Sequence, residues 1–430
     1  MTELGTETIT DIDLASVRKR TRWVLIGSVF PAGMGMTATF AATSLAAKEI
    51  TANDGLASLA ATMTAIGGAI AAVPLGRYMN EHGRRAGLTR AWLIGATGAA
   101  IAFAGVLGEL YILLVIGGIG VGMGQAASLA ARYSAADLAP QDRKASEIGI
   151  VMWAGSIGSV LGPTVALGGT GWIAANLLGL DELAGPYLMG ILVFIAAAMI
   201  VNTFLRPDPL QVAKRLGNAT ETKRPTLMES FKKLFTNRLA TIAVFATAVG
   251  QAVMVSVMTV TPLHMDDGAH EKTVIGLVIS LHVVGMYFFA PVVGWLVDRV
   301  RTELMVAAAG LILFTGAEVA SRTDSEDSLG VFVGLFLVGL GWSFSMIAGS
   351  ALLSSVFPVD ERAPIQGAAD FTMITFGATG GILGGIIAEA TDYRTLSHYA
   401  AVLALSLIAV ALYPAVANAR GPKKPQPASA

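Results

Sequence analysis

The feature of this sequence that most limits its fold is a series of apolar runs, each about 20 residues long and nearly free of charge. A helix of that length spans the hydrocarbon core of a bilayer, where a helix satisfies all of its own backbone hydrogen bonds. The chain is 54% hydrophobic and 14% charged, which is typical of polytopic helical membrane proteins. The sequence therefore predicts an all-α membrane protein.

The apolar runs predict twelve transmembrane helices. They cover residues 23–46, 56–78, 91–107, 109–131, 146–169, 185–205, 239–263, 273–297, 304–320, 329–357, 366–389 and 397–417. The connection between the sixth and seventh runs is the longest, so we expect two bundles of six helices. The predicted segments are an N-terminal tail (1–22), a first bundle (23–205), a linker (206–238), a second bundle (239–417) and a C-terminal tail (418–430).

The linker contains a helix-start signal, because Thr226 is followed three residues later by Glu229. The apolar residues after this signal fall on one side of a helix, beside Lys232 and Lys233. This pattern predicts a short helix at the cytoplasmic membrane surface.

The positions of Lys and Arg predict the orientation. Of 29 such residues, only Lys48, Lys272, Arg322 and Arg394 fall in the loops on one side of the predicted membrane. Cytoplasmic loops carry the excess of positive charge. We therefore expect a multi-pass protein of the cytoplasmic (inner) membrane, with both termini in the cytoplasm.

Composition excludes several other functions. The net charge is −1, which gives no electrostatic basis for binding nucleic acid. The chain has no Cys, so disulfides, thiolate metal sites and cysteine nucleophiles are excluded. No hydrolytic or phosphate-binding pattern is found, and we predict neither an enzyme nor a bound cofactor. The expected partners are the lipid bilayer and a transported substrate.

The two halves of the chain repeat a pattern. The second predicted helix ends in Gly76 and Asn80, and the eighth ends in Gly294 and Asp298, which lie 218 residues later. Two repeated bundles are a transporter architecture, in which the substrate binds between the repeats near the middle of the membrane.

The stretch GRYMNEHGRRAGL, which begins at Gly76, resembles the signature loop of the major facilitator superfamily. In that superfamily the charged motif residues form a lock that closes the inward side, by pairing across the bundles or facing helix ends. Asn80 stands where the pattern has Asp, so the strength of this lock in the N-terminal half is left open. The resemblance implies a twelve-helix major facilitator fold, a monomer, and a gating or structural role for the motif positions. In this sequence those positions are Gly76, Asn80, Gly83, Arg84, Arg85, Gly294, Asp298 and Arg299.

Two motifs on consecutive predicted helices point to a metal. Met254 and Met258 are four residues apart, as are His282 and Met286, so each pair shares one face of a helix. A histidine in the middle of a membrane span is costly and indicates a functional site. Thioether and imidazole groups suit Cu(I). The alternative is ordinary core packing, since Met is a common filler of apolar helices.

Within the superfamily, these motifs resemble those of the CcoA-type copper importers, also called the CalT group. Met254 and Met258 match the first motif, and His282 and Met286 match the second. The resemblance implies copper import with these four residues as ligands. Related members that lack the motifs are thought to carry other cargo, including riboflavin.

Several other residues are weaker candidates. Additional positions on a metal path are Met36, His264, Met265 and His270. Candidates for proton coupling are Asp370 and Glu318, which are acidic residues near the ends of spans.

The sequence as a whole predicts a secondary transporter that moves copper, in the import direction, by alternating access. The alternative is a carrier of organic molecules, either a drug–proton antiporter or an importer of a vitamin such as riboflavin. The run Gly162-Pro163 in the fifth span supports this alternative, because it resembles the glycine–proline motif of proton-coupled antiporters.

Overall fold

The structure is a computed structural model that describes residues 13–217, 226–270 and 272–419. Eleven helical segments in this part of the chain are long and apolar enough to cross a membrane. One of them, Thr62–Leu107, is interrupted at Gly83, where φ is +88°. Its two arms are consecutive helices, so the segments provide the twelve expected spans. The predicted all-α membrane fold is confirmed.

The first half of the chain contains six α-helices. They are α1 (Leu14–Thr51), α2 (Asp54–Leu107), α3 (Tyr111–Ala136), α4 (Lys144–Pro163), α5 (Gly171–Leu177) and α6 (Ala184–Phe204). A π-helical segment, Thr164–Thr170, follows the glycine–proline run and connects α4 to α5.

The second half follows two short linker helices. The linker helices are α7 (Pro209–Leu216) and α8 (Leu227–Thr236). The remaining helices are α9 (Arg238–Asp267), α10 (Lys272–Tyr287), α11 (Ala290–Arg299), α12 (Thr302–Ser321), α13 (Ser328–Val356), α14 (Val359–Ala390) and α15 (Tyr393–Ala419).

Two boundaries differ from the apolar runs. Helix α1 begins inside the segment 1–22 that we assigned to a tail, because the Asp13 carboxylate accepts hydrogen bonds from the Ala15 and Ser16 backbone amides and caps the helix there. The eighth span is interrupted after Tyr287, where Pro291 lacks the N–H that would continue the helix. Residues 420–430 of the predicted C-terminal tail lie outside the described residues.

Small residues bring the helices of each bundle close together. Gly122 of α3 lies so near Thr64 of α2 that a Cβ at position 122 would overlap the Thr64 carbonyl oxygen. Gly158 of α4 approaches the Phe30 carbonyl of α1 in the same way. Glycine permits this approach because it has no side chain, and such contacts hold helices together in lipid. The two largest buried apolar clusters lie mainly in one bundle each, and each includes a few residues of the other bundle.

The linker is attached to both bundles. The Asp208 carboxylate caps α7 and accepts a hydrogen bond from the Arg85 backbone amide at 2.7 Å. Helix α8 starts with the predicted capping box of Thr226 and Glu229 and packs against α9 and α14. We call the side of the molecule that carries α7 and α8 the linker face.

Candidate substrate pathway between the two bundles

The bundles meet near the linker face at two related helix crossings. Gly76 of α2 lies against Ala363 of α14, and Gly294 of α11 lies against Ala145 of α4. The second pair is related to the first by the 218-residue repeat, with the two bundles exchanged. A Cβ at Gly294 would lie 2.5 Å from the Ala145 carbonyl oxygen. Both motif glycines therefore lie where backbones of different bundles touch.

Asp298 fastens one of these crossings, and we call this contact the C-half lock. Its carboxylate accepts hydrogen bonds from the backbone amides of Ala145 at 2.9 Å and Ser146 at 2.8 Å. It also accepts one from the Ser146 hydroxyl at 2.5 Å. A carboxylate at the N-terminus of a helix is favoured both by these donors and by the helix dipole.

The corresponding contact in the N-terminal half is missing among the described residues. The buried Oδ1 atom of Asn80 has no hydrogen-bond partner there. Pro364 stands 218 residues after Ser146 and offers neither a backbone N–H nor a hydroxyl. The Asn80 backbone carbonyl instead accepts a hydrogen bond from Lys214 of the linker at 2.7 Å. The two locks are therefore unequal.

Arg84 forms a second contact between the bundles. Its guanidinium is buried and donates to the Asp137 carboxylate at 2.8 and 3.2 Å, within the first bundle. It also donates to Gln366 Oε1 of α14 at 2.7 Å, across the bundle boundary. Arg299, another motif residue, stacks on Trp295 of its own helix, with its guanidinium carbon 4.1 Å from the ring centre.

A buried ion pair joins the bundles deeper in the molecule. Arg132 of α3 donates to Asp370 of α14 at 2.5 Å and to the Ser350 hydroxyl of α13 at 3.0 Å. The Tyr133 hydroxyl donates to the same Asp370 oxygen at 3.4 Å. Both charged side chains are nearly inaccessible, with 2% and 8% of their surfaces exposed. A buried charge of this kind needs its partner, since an unpaired one is strongly destabilising.

Next to this ion pair lies the central cavity, which has a volume of about 120 Å³ and includes Arg132 in its wall. It is bounded by α1, α3 and α4 of the first bundle and by α10 and α13 of the second. Its lining residues are Val29, Gly33, Met36, Gln125, Ser128, Leu129, Arg132, Val151, Met152, Gly155, Ser159, Tyr287, Trp342 and Met346. Polar donors and aromatic rings thus share one space between the repeats.

The four predicted copper ligands lie elsewhere, in the second bundle. Met254 and Met286 are buried in its apolar cluster, and the partly buried Met258 packs against that cluster. None of the four lines the central cavity. Helix α10, which carries His282 and Met286, packs chiefly on α13 and has little contact with α9, which carries the methionine pair.

His282 has an unusual environment for a core residue. It is completely buried, and its Nδ1 atom lies 2.7 Å from the Leu335 carbonyl oxygen of α13. This contact favours the tautomer that carries its proton on Nδ1, because a carbonyl can only accept. Its Nε2 atom is buried and has no hydrogen-bond partner among the described residues.

The weaker metal candidates are dispersed. Met36 lines the central cavity, whereas Met265 is fully buried in the second bundle. His264 stacks on Tyr393 with ring centres 4.1 Å apart. The backbone amide of His270 donates to the Met265 carbonyl at 3.2 Å. In the described part of the chain, no three His, Asp or Glu side chains are grouped as metal ligands.

The two acidic candidates have different positions. Asp370 pairs with Arg132 next to the central cavity. Glu318 lies at the end of α12 far from the linker face, where it accepts hydrogen bonds from Arg322 at 2.7 and 3.0 Å. His398 lies 3.0 Å from its other oxygen. Of the two, only Asp370 contacts a residue of the cavity wall.

Sequence reasoning missed Arg132 and the aromatic pair Tyr287 and Trp342. The apolar run of the fourth span ends at residue 131 and places Arg132 in the following loop, whereas α3 continues to Ala136. A charged residue within one turn of a span was the available signal. The aromatic residues carried no such signal, since each lies in an apolar run of its own.

The fold and the sequence have clear relatives. The Major Facilitator Superfamily family model matches residues 25–271 and 257–430. An uncharacterised transporter of Bacillus subtilis, YdeG, is 33% identical over 93% of this chain and 92% of its own. The riboflavin transporter RfnT of Brucella anthropi is 25% identical over 86% of this chain and 89% of its own.

A solved structure has the same overall arrangement. It is a bacterial homologue of the iron transporter ferroportin in an outward-facing state, with 16% identity and a TM-score of 0.71. The alignment covers 92% of this chain and 99% of that one. At this identity the likeness concerns the fold alone. Together with the family match and the two repeated bundles, it shows that this chain belongs to the major facilitator superfamily of membrane transporters.

Proposed function

We propose that this transporter carries an organic molecule with a flat aromatic ring and hydrogen-bonding groups. The observation that carries the proposal is the central cavity, where Tyr287 and Trp342 lie with Gln125, Ser128 and Arg132. Substrate sites of such repeated bundles lie between the repeats. Because most Lys and Arg residues fall in the segments on the side of the linker and the termini, we assign the linker face and both termini to the cytoplasm.

The cavity is suited to such a ring. Tyr287 and Trp342 are in edge-to-face contact with centroids 5.4 Å apart. The Trp342 indole N–H donates to Gln251 Oε1 at 2.6 Å, which fixes the orientation of its ring. Rigid aromatic walls bind flat apolar surfaces, and a few polar groups then set the orientation and specificity of a ligand. The name of the relative RfnT supports the same class of cargo.

The first test is exchange by the purified full chain in liposomes. Counterflow is suitable because it detects carrier-mediated exchange in either direction. The probes are riboflavin, riboflavin 5′-phosphate and the aromatic drug ethidium. We expect saturable exchange of at least one probe, and Trp342→Leu is expected to lower its apparent affinity about tenfold.

The matched control for that variant is Trp172→Leu. Trp172 is 54% exposed and does not line the central cavity, so we expect its replacement to leave exchange unchanged. If the intact protein exchanges none of the three probes, the organic-cargo proposal fails. Equal losses in both tryptophan variants would mean that Trp342 acts on general stability rather than on the ligand.

A second candidate function is copper transport, and the environment of His282 favours it. With its proton on Nδ1 and directed at a backbone carbonyl, the ring presents Nε2 as a lone-pair donor. Metal-ligating histidines are commonly held in this way by a second hydrogen bond. Met286 lies one helical turn away, which is the spacing expected of a shared ligand set.

Copper transport predicts a specific loss in cells. Under copper limitation, cells with the intact protein should differ in copper content from cells with an empty vector. His282→Leu should abolish that difference at equal membrane levels, because it removes the only imidazole of the two motifs. Met305→Leu, which replaces another buried methionine of the same cluster, should preserve it. Identical copper contents with and without the protein would rule this candidate out.

A further inference from the structure

We propose that Arg132 is the anion-binding group of the central cavity and that Asp370 is its exchangeable counter-ion. An anionic ligand and Asp370 then compete for one guanidinium, so ligand binding is accompanied by protonation of Asp370. This inference rests on the proposed function and narrows its substrate class to aromatic organic anions.

The first step is the hydrogen-bond capacity of Arg132. A guanidinium has five N–H groups and remains charged in proteins. Four contacts use them: Nε donates to Ser350, Nη1 to the Leu129 carbonyl, and Nη2 to both Tyr133 and Asp370. One N–H on Nη1 has no partner among the described residues. A carboxylate or phosphate binds arginine best through two N–H groups, so it must displace one of these four partners, and Asp370 is the one that carries the same charge as the ligand.

The second step is the position of the pair. Arg132 borders the central cavity, whereas Asp370 borders the adjoining space near Arg84 and Gln366. Arg132 is therefore the member of the pair that a ligand in the cavity can contact, because Asp370 is not part of the cavity lining. The charged and titratable groups around Asp370 are Arg132 and Tyr133 of α3 and Arg84 of α2. None of these is a second acid that could replace Asp370.

The third step is charge balance. If an anion took Arg132 from an ionised Asp370, that carboxylate would remain buried without its main partner, which is strongly unfavourable. Protonation removes the cost, because a neutral carboxyl needs no counter-ion and keeps its hydrogen bond with Tyr133. One proton taken from solution therefore accompanies one bound negative charge. Because the ion pair also joins the two bundles, the same exchange loosens a contact on the linker side of the cavity.

The test uses benzoate and benzamide, which share a ring and differ in charge. A carboxylic acid with a pKa of about 4 is ionised at pH values of about 6 and about 8. Binding to the purified full chain is measured by quenching of tryptophan fluorescence. We expect benzoate to bind the intact protein more tightly at the lower pH, and Asp370→Asn to bind benzoate about tenfold more tightly at the higher pH.

Two variants isolate the arginine. Asp370→Asn and the double variant Arg132→Gln/Asp370→Asn differ only in the guanidinium, which the single variant leaves without its counter-ion and the double variant removes. The double variant should lose its preference for benzoate over benzamide. Glu147→Gln removes a carboxylate from another ion pair, with Arg22 within the first bundle, and should bind benzoate as the intact protein does.

The outcomes separate the two proposals. If benzoate and benzamide bind equally well, or if the double variant still prefers benzoate, the role of Arg132 is refuted while an aromatic site stands. If Asp370→Asn binds benzoate no better than the intact protein at any pH, the competition is refuted. If neither compound binds, the assignment of an aromatic anion to Arg132 is refuted, and if in addition no flavin or ethidium is exchanged, the organic-cargo proposal itself fails.

Discussion

Replacing Asp298 with alanine is expected to open the linker face. The change removes three hydrogen bonds that cross between the bundles, from Ala145 and from the amide and hydroxyl of Ser146. Hydrogen bonds to a charged acceptor are worth about 1.5–3 kcal/mol each, and water replaces part of this in the open state. We therefore expect a shift of about 3 kcal/mol, or roughly a hundredfold, in the ratio of closed to open protein.

The absence of cysteine makes this shift measurable. Spin labels on Gln141→Cys in the first bundle and Arg301→Cys in the second report the distance between two exposed sites on the linker face. The distance should increase in the Asp298→Ala background. The matched control is Asn80→Ala, whose effect should be within about 0.5 kcal/mol because Asn80 Oδ1 accepts no hydrogen bond from the part of the chain that the structure describes.

Two results would contradict the conclusion that the contact at Asp298 is stronger than the corresponding contact at Asn80. One is an unchanged distance distribution after Asp298→Ala, which would mean that other contacts hold the face closed. The other is an equal opening in both variants. Asn80→Asp provides a further check, since Pro364 offers the new carboxylate no N–H and the closed state should gain nothing.

Gly122→Ala is expected to be the most destabilising methyl addition in the first bundle. The new Cβ would overlap the Thr64 carbonyl oxygen and lie 2.8 Å from its carbon and 3.0 Å from the Gly68 amide nitrogen. Each of these atoms belongs to the backbone of α2 and cannot rotate away. Overpacking of this kind costs about 1–3 kcal/mol, and we expect a value near the upper end.

The comparison is Gly385→Ala, at a glycine of α14 where no atom of the described residues lies within 4 Å of the added methyl. There the substitution should be neutral or stabilising by up to about 1 kcal/mol, because alanine is the better helix former. Apparent melting temperatures of the two variants in detergent should therefore move in opposite directions. A Gly122→Ala protein as stable as the intact one would show that α2 and α3 can separate without cost.

Parts of the site could be predicted from the sequence, but only where a local motif contains all the residues that make the interaction. The neutral Asn80 drew attention to the N-terminal lock from sequence alone. The matching defect at Pro364 became visible only once α2 and α14 were seen to cross at Gly76. The two sides of a lock are far apart in the chain, and the sequence around either one does not show which residue it contacts.

The methionine and histidine motifs also separate what local spacing determines from what helix packing determines. A spacing of four residues determines that His282 and Met286 share a face of α10, because the helix turns every 3.6 residues. It does not determine which neighbour that face meets. The face of His282 meets Leu335 and Gly339 of α13, whereas the cavity-facing residue of α10 is Tyr287.

The sequence by itself determined the twelve helices, the repeat and the superfamily motif, because hydrophobic length, glycine positions and local spacing act within one segment of chain. Only the tertiary structure decided which side chains line the central cavity and that Arg132 pairs with Asp370, 238 residues away. Those relations depend on how each helix is rotated about its axis and on which helices pack together. Packing between distant segments sets both, and no single stretch of sequence contains that information.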